Sequence, residues 1–410
     1  MNQKTFGTTI MNLRKKKGLT QAALAKSLNV GDKAVSKWEN GLGYPEITLL
    51  PKLASTLGVS LDYLMTGERS GIAIAGNILT DLVKNVDCWP QVGMLANISS
   101  ISRAVGGCTP NTSINLAKID SDIPVFAIGC VGDDEHGHYV ISQLQKNGID
   151  TSGVTVMEEQ STGFSDVINL PTGERTFFHA RGVNSLFSPE HVNLSSLRCR
   201  ILHIGYIFLL DSFDAPDAEY GTVMAKFLHN VQNLGIKTSI DVVSDSLADY
   251  PSMIIPALKY CDYVIINEIE CCSIWGYDPR HADNSLNIPL LKKAMEQTFA
   301  CGINDKLIVH SKEASFCLNH TGQFTMVPSL KIPSEDVKGS VGAGDAFCAG
   351  CLHSIYNNYT DNQILEFASA AAACNLFAEN AVDGMRNKIA IQKMMDTYPR
   401  RELSYAGHIE

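Results

Sequence analysis

Residues 339–350 read Gly-Ser-Val-Gly-Ala-Gly-Asp-Ala-Phe-Cys-Ala-Gly. Gly342, Ala343 and Gly344 stand directly before Asp345, and a run of small and apolar residues follows. Small side chains let backbone N–H groups approach an anion closely. A helix starting there adds unsatisfied donors and the positive end of its dipole. An acid beside such a cradle would repel phosphate. Its expected task is therefore to accept the proton of an attacking hydroxyl while the amides hold a transferring phosphoryl group. Taken alone, the stretch also fits a glycine-rich turn whose acid merely favours the helix dipole.

The surrounding chain places this turn in an α/β fold. Ile72-Ala-Ile-Ala, Val125-Phe-Ala-Ile, Ile201-Leu-His-Ile, Thr238-Ser-Ile-Asp, Tyr263-Val-Ile-Ile and Leu307-Ile-Val are short apolar runs, as buried parallel strands require. Helical stretches at 112–119, 136–147, 220–234, 289–298 and 345–357 separate most of them, so a mostly parallel central sheet is expected. Segment 164–182 instead holds two alternating runs around a Pro-Thr-Gly turn. It reads as a hairpin outside the main sheet, a small β lid.

The first 65 residues have a different texture. Leu13, Leu19, Leu24, Leu28, Val30, Val35 and Trp38 recur at helical spacing, Thr20 is a credible N-cap for 21–28, and Gly31-Asp32 breaks the pattern. A further helix from about Glu46 would turn Ile47, Leu50, Leu53 and Leu57 inward, with Leu61 and Leu64 closing a small all-α bundle. Residues 66–71 form a polar linker, and the larger domain runs over 72–395, with 396–410 a C-terminal tail.

Charge divides along the same line. Residues 1–70 hold ten Lys/Arg against five acids, +5, while the whole chain carries −10, which leaves −15 beyond the linker. A small basic domain joined to a large acidic one suggests a polyanion for the first part only. No apolar run reaches the roughly 18 to 20 residues that cross a bilayer, so no membrane partner and a cytoplasmic location are expected. The twelve cysteines read as buried small hydrophobes. Cys348 and Cys351 form a lone C-x-x-C without the second pair of a zinc site, and His136 and His138 read as two loop histidines.

Further motifs connect these features. Gly342-Ala-Gly-Asp345, Gly106-Gly107-Cys-Thr-Pro-Asn111, Gly129-Cys-Val-Gly132-Asp133, Gly76-Asn77…Asp81, Gly173-Glu-Arg175 and Asn267-Glu-Ile-Glu270 occur in an order that resembles the ribokinase-like (PfkB) carbohydrate kinases over roughly 72–395. The resemblance implies a ribokinase-like fold in which Asp345 is the catalytic base and Gly342, Ala343 and Gly344 form the anion hole. It implies that Asp81, Gly106, Gly107 and Asn111 hold sugar hydroxyls. Asn267 and Glu270 would organise Mg²⁺ through water, because Mg²⁺ rarely sheds all its own waters; without the resemblance, Glu270 reads as an exposed helix acid. Two positions depart from the pattern. Gly339 stands where the signature usually opens with an acid. Ser311-Lys312-Glu313-Ala314 stands where the family has a G-x-x-G nucleotide loop, so Ser311 and Glu313 are expected beside ATP.

Residues 20–41, Thr-Gln-Ala-Ala-Leu-Ala-Lys-Ser-Leu-Asn-Val-Gly-Asp-Lys-Ala-Val-Ser-Lys-Trp-Glu-Asn-Gly, resemble the Cro/repressor-type (XRE) helix-turn-helix. In that geometry the second helix, about 32–40, enters the major groove of double-stranded DNA. Lys33 and Ser36 are then expected at bases, Lys37 and Gln21 at phosphates. Such modules usually act as homodimers. The combined expectation is ATP-dependent phosphorylation of a sugar or sugar-like small molecule, coupled to DNA binding. The alternative is a transcriptional regulator whose kinase-like domain only senses a sugar or nucleotide.

Overall fold

The computed structural model describes residues 2–59, 61–67, 69–172, 174–245 and 249–403, so Gly173 and the end of the tail, 404–410, lie outside the described residues. The chain divides into two compact units, residues 1–71 with 193–200, and residues 72–192 with 201–410.

The first unit is helical: Gln3–Lys16, Gln21–Leu28, Asp32–Glu39, Leu50–Leu57 and Leu61–Thr66. Asn2 and Thr20 cap the first two helices through side-chain oxygens that accept from Thr5 N and Ala23 N. Phe6, Ile10, Leu24, Leu28, Val35, Trp38, Leu53, Leu57 and Leu64 form its core. Gly7 is required where the first and third helices meet, because a Cβ there would lie 2.2 Å from Trp38 O. Two expected core residues are outside. Ile47 is 84% exposed and Leu61 42%, since Ile47 lies in a short 3₁₀ turn, Ile47–Leu49, that precedes the helix instead of on its inner face.

The second unit carries a nine-stranded sheet in the order Phe324–Pro328, Ala314–Asn319, Lys306–His310, Tyr263–Asn267, Lys237–Val242, Ile201–Ile207, Ile72–Gly76, Val125–Gly132, Asp150–Met157. Pairing is parallel from Lys306–His310 to Asp150–Met157, and the two remaining strands are antiparallel. From the strand Ile72–Gly76 the chain proceeds to one side of the sheet and later, from Ile201, to the other. The carboxyl ends of these two neighbouring strands therefore form a topological switch point, where α/β sheets leave a crevice for ligands.

A separate four-stranded sheet pairs Ile98–Gly106, Leu79–Val86, Gly163–Asn169 and Arg175–Ala180. The expected hairpin is its outer half. Two further strands complete it, and Asp81 lies on one of them. These strands escape the sequence pattern because neither alternates in burial: Ile98–Arg103 is exposed throughout, and Asp81 to Asn85 are all half-buried. The region read as a tail is also built in part. Helix Lys388–Thr397 crosses position 396, and Arg401 N donates to Ser329 O at 2.9 Å. His136 and His138 are on the first turn of helix Glu135–Lys146, not in a loop, because Asp134 caps it by accepting from Gly137 N. Among the described residues no helix is long and apolar enough to cross a membrane.

Candidate active site

Close approach at the switch point needs two glycines. A Cβ on Gly76 would fall 1.5 Å from Gly205 O, so the strand ends touch backbone to backbone. Asn77 then bridges them, its Oδ1 accepting from Tyr206 N at 2.9 Å and its Nδ2 donating to Leu209 O at 3.2 Å. That fixes Tyr206 at the floor of the crevice. Gly107, at φ +87°, caps helix Cys108–Ile119, which carries Asn111 on its first turn.

Opposite these elements, helix Ala343–Tyr356 begins at Gly342 in the left-handed region, φ +72°. A Cβ on Gly342 would sit 2.3 Å from Ala381 Cβ, so the turn admits only glycine there without displacement. The Ala343 amide donates to Ser340 O at 3.2 Å. Gly344 and Asp345 follow within the first turn, where amides lack an intrahelical acceptor.

Asp345 is buried at 6% exposure. Its Oδ1 accepts from the Tyr206 hydroxyl at 2.7 Å and its Oδ2 from Asn111 Nδ2 at 2.9 Å. Burial, with the neighbouring Asp241 and Asp81 carboxylates, pushes its carboxyl up to about 7 against those hydrogen bonds. Burial alone carries Asp81 to about 7, and a Cβ on Gly106 would lie 2.7 Å from the Asp81 carboxyl. Asn111 Oδ1 is buried and has no hydrogen-bond partner, so its oxygen remains for an incoming donor while its nitrogen serves Asp345.

Asn267 and Glu270 form a capping box on helix Glu268–Ser273. Asn267 Oδ1 accepts from Glu270 N at 2.8 Å. Glu270 accepts from Asn267 N at 2.9 Å, from Asn267 Nδ2 at 2.7 Å and from the Ser244 hydroxyl at 2.8 Å. Glu270 is only 4% exposed, and burial pushes its carboxyl to about 8. The reading of Glu270 as an exposed helix acid is thereby overturned: its cap function draws the side chain inward, over its own helix start.

A cavity of about 300 Å³ joins Asp345 to the Asn267–Glu270 box, while Asp81, Gly106, Gly107 and Asn111 are not among its lining residues. Tyr206, Asp241, Asn267, Glu270, Gly342 and Asp345 all line it. A second cavity of about 380 Å³ lies on the other side of the 342–344 turn, with Ser311, Lys312, Phe347 and Ala372 in its walls. His310 borders both, and burial lowers its imidazole to about 4, so it is neutral. Ser311 accepts from Glu313 N and Ala314 N, each at 3.2 Å, which shapes the loop without glycine. Glu313 lines neither cavity; Arg280 holds its carboxylate at 2.6 Å and also pairs with Glu268.

Sequence reasoning did not single out Tyr206, Asp241, Ser244 or His310. Asp241 and Tyr206 do leave a trace, as polar groups ending or following otherwise apolar strand runs. In the first unit, Lys33 and Lys37 are exposed and Ser36 is half-buried, on the helix whose Val35 and Trp38 face the core. Gln21 is turned inward: its amide donates to Glu39 at 2.7 Å, beside the buried Arg14–Glu39 pair at 2.5 Å.

Two family models match the chain: pfkB family carbohydrate kinase over residues 70–388, and helix-turn-helix over residues 10–64. The chain is 23% identical over 329 residues to ribokinase of Schizosaccharomyces pombe, covering 78% of this chain and 96% of that one. It is 26% identical over 326 residues to a protein of Arabidopsis thaliana described as probable fructokinase-7, covering 76% and 90%. The structure of Arabidopsis thaliana ribokinase complexed with ribose and ATP superposes with a TM-score of 0.65 at 18% identity, over 80% of this chain and 99% of that one.

Proposed function

Because the chain belongs to the pfkB family of carbohydrate kinases and carries a helix-turn-helix domain, we propose that it transfers the γ-phosphoryl group of ATP to a sugar hydroxyl and couples the bound state to DNA binding. The observation that carries the reading is Asp345: a buried carboxylate, raised to about 7, at the start of a glycine-cradled helix and open to the cavity.

In this reading the sugar lies between Asp81, the Gly106–Gly107 backbone and Asn111, whose free Oδ1 accepts from one of its hydroxyls. Asp345 takes the proton of the reacting hydroxyl, and Tyr206 orients the carboxylate from the far side. The amides of Gly344 and Asp345 at the helix start face the developing charge on the phosphoryl oxygens. The second cavity, with Ser311 and Lys312 at its rim, receives the nucleotide; Glu313, tied to Arg280, shapes that rim. Glu270 already accepts three hydrogen bonds, so its fit to Mg²⁺ is through water, with Asn267 beside it. The ion, when bound, neutralises phosphate charge. The lid sheet excludes water once the sugar is in place.

Lys33 and Ser36 are assigned to base edges and Lys37 to a phosphate, and the acting form is a homodimer on paired half-sites. Gln21 donates one amide hydrogen to Glu39 and keeps the second for a phosphate. The test is ATP-dependent phosphorylation across a panel of sugars and nucleosides, with Asp345→Asn as control. Turnover on one class, lost in the variant, supports the kinase. Absence of turnover on every substrate, together with sugar-modulated DNA binding, overturns it in favour of a sensing domain.

A further inference from the structure

Beside Asp345 lies a cluster that makes no contact with substrate in the proposed phosphoryl transfer, although Asp241 in it raises the Asp345 carboxyl. Among the described residues, Cys108, His203 and Asp241 present one ligand atom each within 4.8 Å of one another, and all three are buried. They come from three separate elements: the start of helix Cys108–Ile119, the strand Ile201–Ile207 and the strand Lys237–Val242. His203 Nε2 is 3.4 Å from Asp241 Oδ2, and Cys108 Sγ is 3.9 Å from the same oxygen. Cys348 Sγ lies 3.5 Å from His203 Nε2 as the next donor.

These spacings are informative. Zinc holds sulfur, nitrogen and oxygen ligands at roughly 2.0 to 2.3 Å in a tetrahedron, which sets ligand atoms roughly 3.3 to 3.8 Å apart. The separation of 3.4 Å falls within that range, and 3.9 Å lies just above it. A network of hydrogen bonds alone would leave the site poorly satisfied. Asp241 Oδ1 is buried without a partner, and a thiol is a weak donor. The histidine is also oriented as a ligand: its Nδ1 is 2.9 Å from the Ser239 hydroxyl, which leaves Nε2 toward the cluster. Gly205 keeps the space clear, since a Cβ there would stand 1.6 Å from Asp241 Oδ1 and 3.0 Å from Cys108 Sγ. Asp241 and Cys348 also line the 300 Å³ cavity, so the cluster has an entry path from the active site.

We propose that Cys108, His203 and Asp241 bind a thiophilic divalent cation of the zinc type, with the fourth coordination position facing Cys348 and the cavity. Three protein ligands of mixed sulfur, nitrogen and oxygen character suit zinc better than magnesium, which prefers oxygen alone.

The full chain, stripped with a chelator, is titrated with Zn²⁺ against a chromophoric competitor and separately with Co²⁺. The expected result is one tight equivalent per chain and a thiolate-to-cobalt charge-transfer band. Cys108→Ser should abolish the band. Ser239→Ala, which only releases the histidine ring, should weaken zinc affinity about 10- to 100-fold. Cys88→Ser, removing the exposed thiol, should leave affinity unchanged. Circular dichroism checks that each variant is folded, and Ser239→Ala together with the wild-type cobalt spectrum keeps the test decisive if Cys108→Ser is not. Absence of the band in the wild type, or zinc affinity unmoved by Ser239→Ala, overturns the site.

Discussion

To act as the proposed base Asp345 must be deprotonated, yet the fold buries it where the charged form is disfavoured. With its carboxyl raised to about 7, kcat/KM is expected to climb with pH through about 7 and level off above it. Tyr206→Phe removes a hydrogen bond that favours the charged form. That inflection should move to higher pH and turnover should fall by about 10-fold or more; a pH profile of the two proteins checks both. Asp345→Asn should lower turnover by about 10² to 10⁴-fold. The same variant tests the electrostatics through stability. Between the ordinary Asp value and about 7 the folded wild type binds a proton that the unfolded chain does not, so wild-type stability declines as pH rises through that window. The neutral amide escapes this. Its stability relative to wild type should therefore increase by up to about 1.4 kcal/mol per pH unit from about pH 4 to 7 and flatten above, as denaturant unfolding at several pH values would show. Asp345 was legible as a chemical residue because three small residues precede it. Its partner Tyr206 leaves only a faint trace, a polar ring near the end of the apolar strand Ile201–Ile207, and nothing local says that it meets Asp345.

At the scale of elements, the turn at Gly342 and the ion pair at Glu39 make separable predictions. Gly342→Ala imposes a left-handed residue with a side chain 2.3 Å from Ala381 Cβ. It should cost about 1 to 3 kcal/mol and displace the helix start, lowering turnover more than substrate affinity; a kcat and KM comparison separates the two. Glu39 lies against Arg14 with 2% of its side chain exposed, so Glu39→Ala strands a buried guanidinium. Loss of about 3 kcal/mol from the helical unit is expected by denaturant unfolding. Strands such as Tyr263–Asn267 were readable because burial on both faces makes them continuous apolar runs, and helices such as Gln21–Leu28 because one buried face imposes a period. The strands Leu79–Val86 and Ile98–Gly106 were not, since the first is half-buried from Asp81 to Asn85 and the second exposed from Ile98 to Arg103, so neither alternates.

For the whole molecule, charge separation between the basic first 70 residues and the acidic remainder confines the proposed polyanion contact to one unit. Lys37→Ala should weaken DNA binding at all sequences and reduce the slope of log affinity against log salt by about 1, whereas Lys33→Ala should relax preference at one base position. Binding isotherms at several salt concentrations distinguish them. The sequence by itself determined the two-part organisation, the α/β class and the cradle before Asp345, because strand burial, helix periodicity and a glycine turn are written in neighbouring residues. Only the tertiary structure decided what surrounds that carboxylate. Asn111 is 234 positions from Asp345 and Tyr206 is 139, while Cys108, His203 and Asp241 meet from three elements. Low dielectric, raised pKa values and ligand spacing are properties of that meeting; no local stretch of chain contains them.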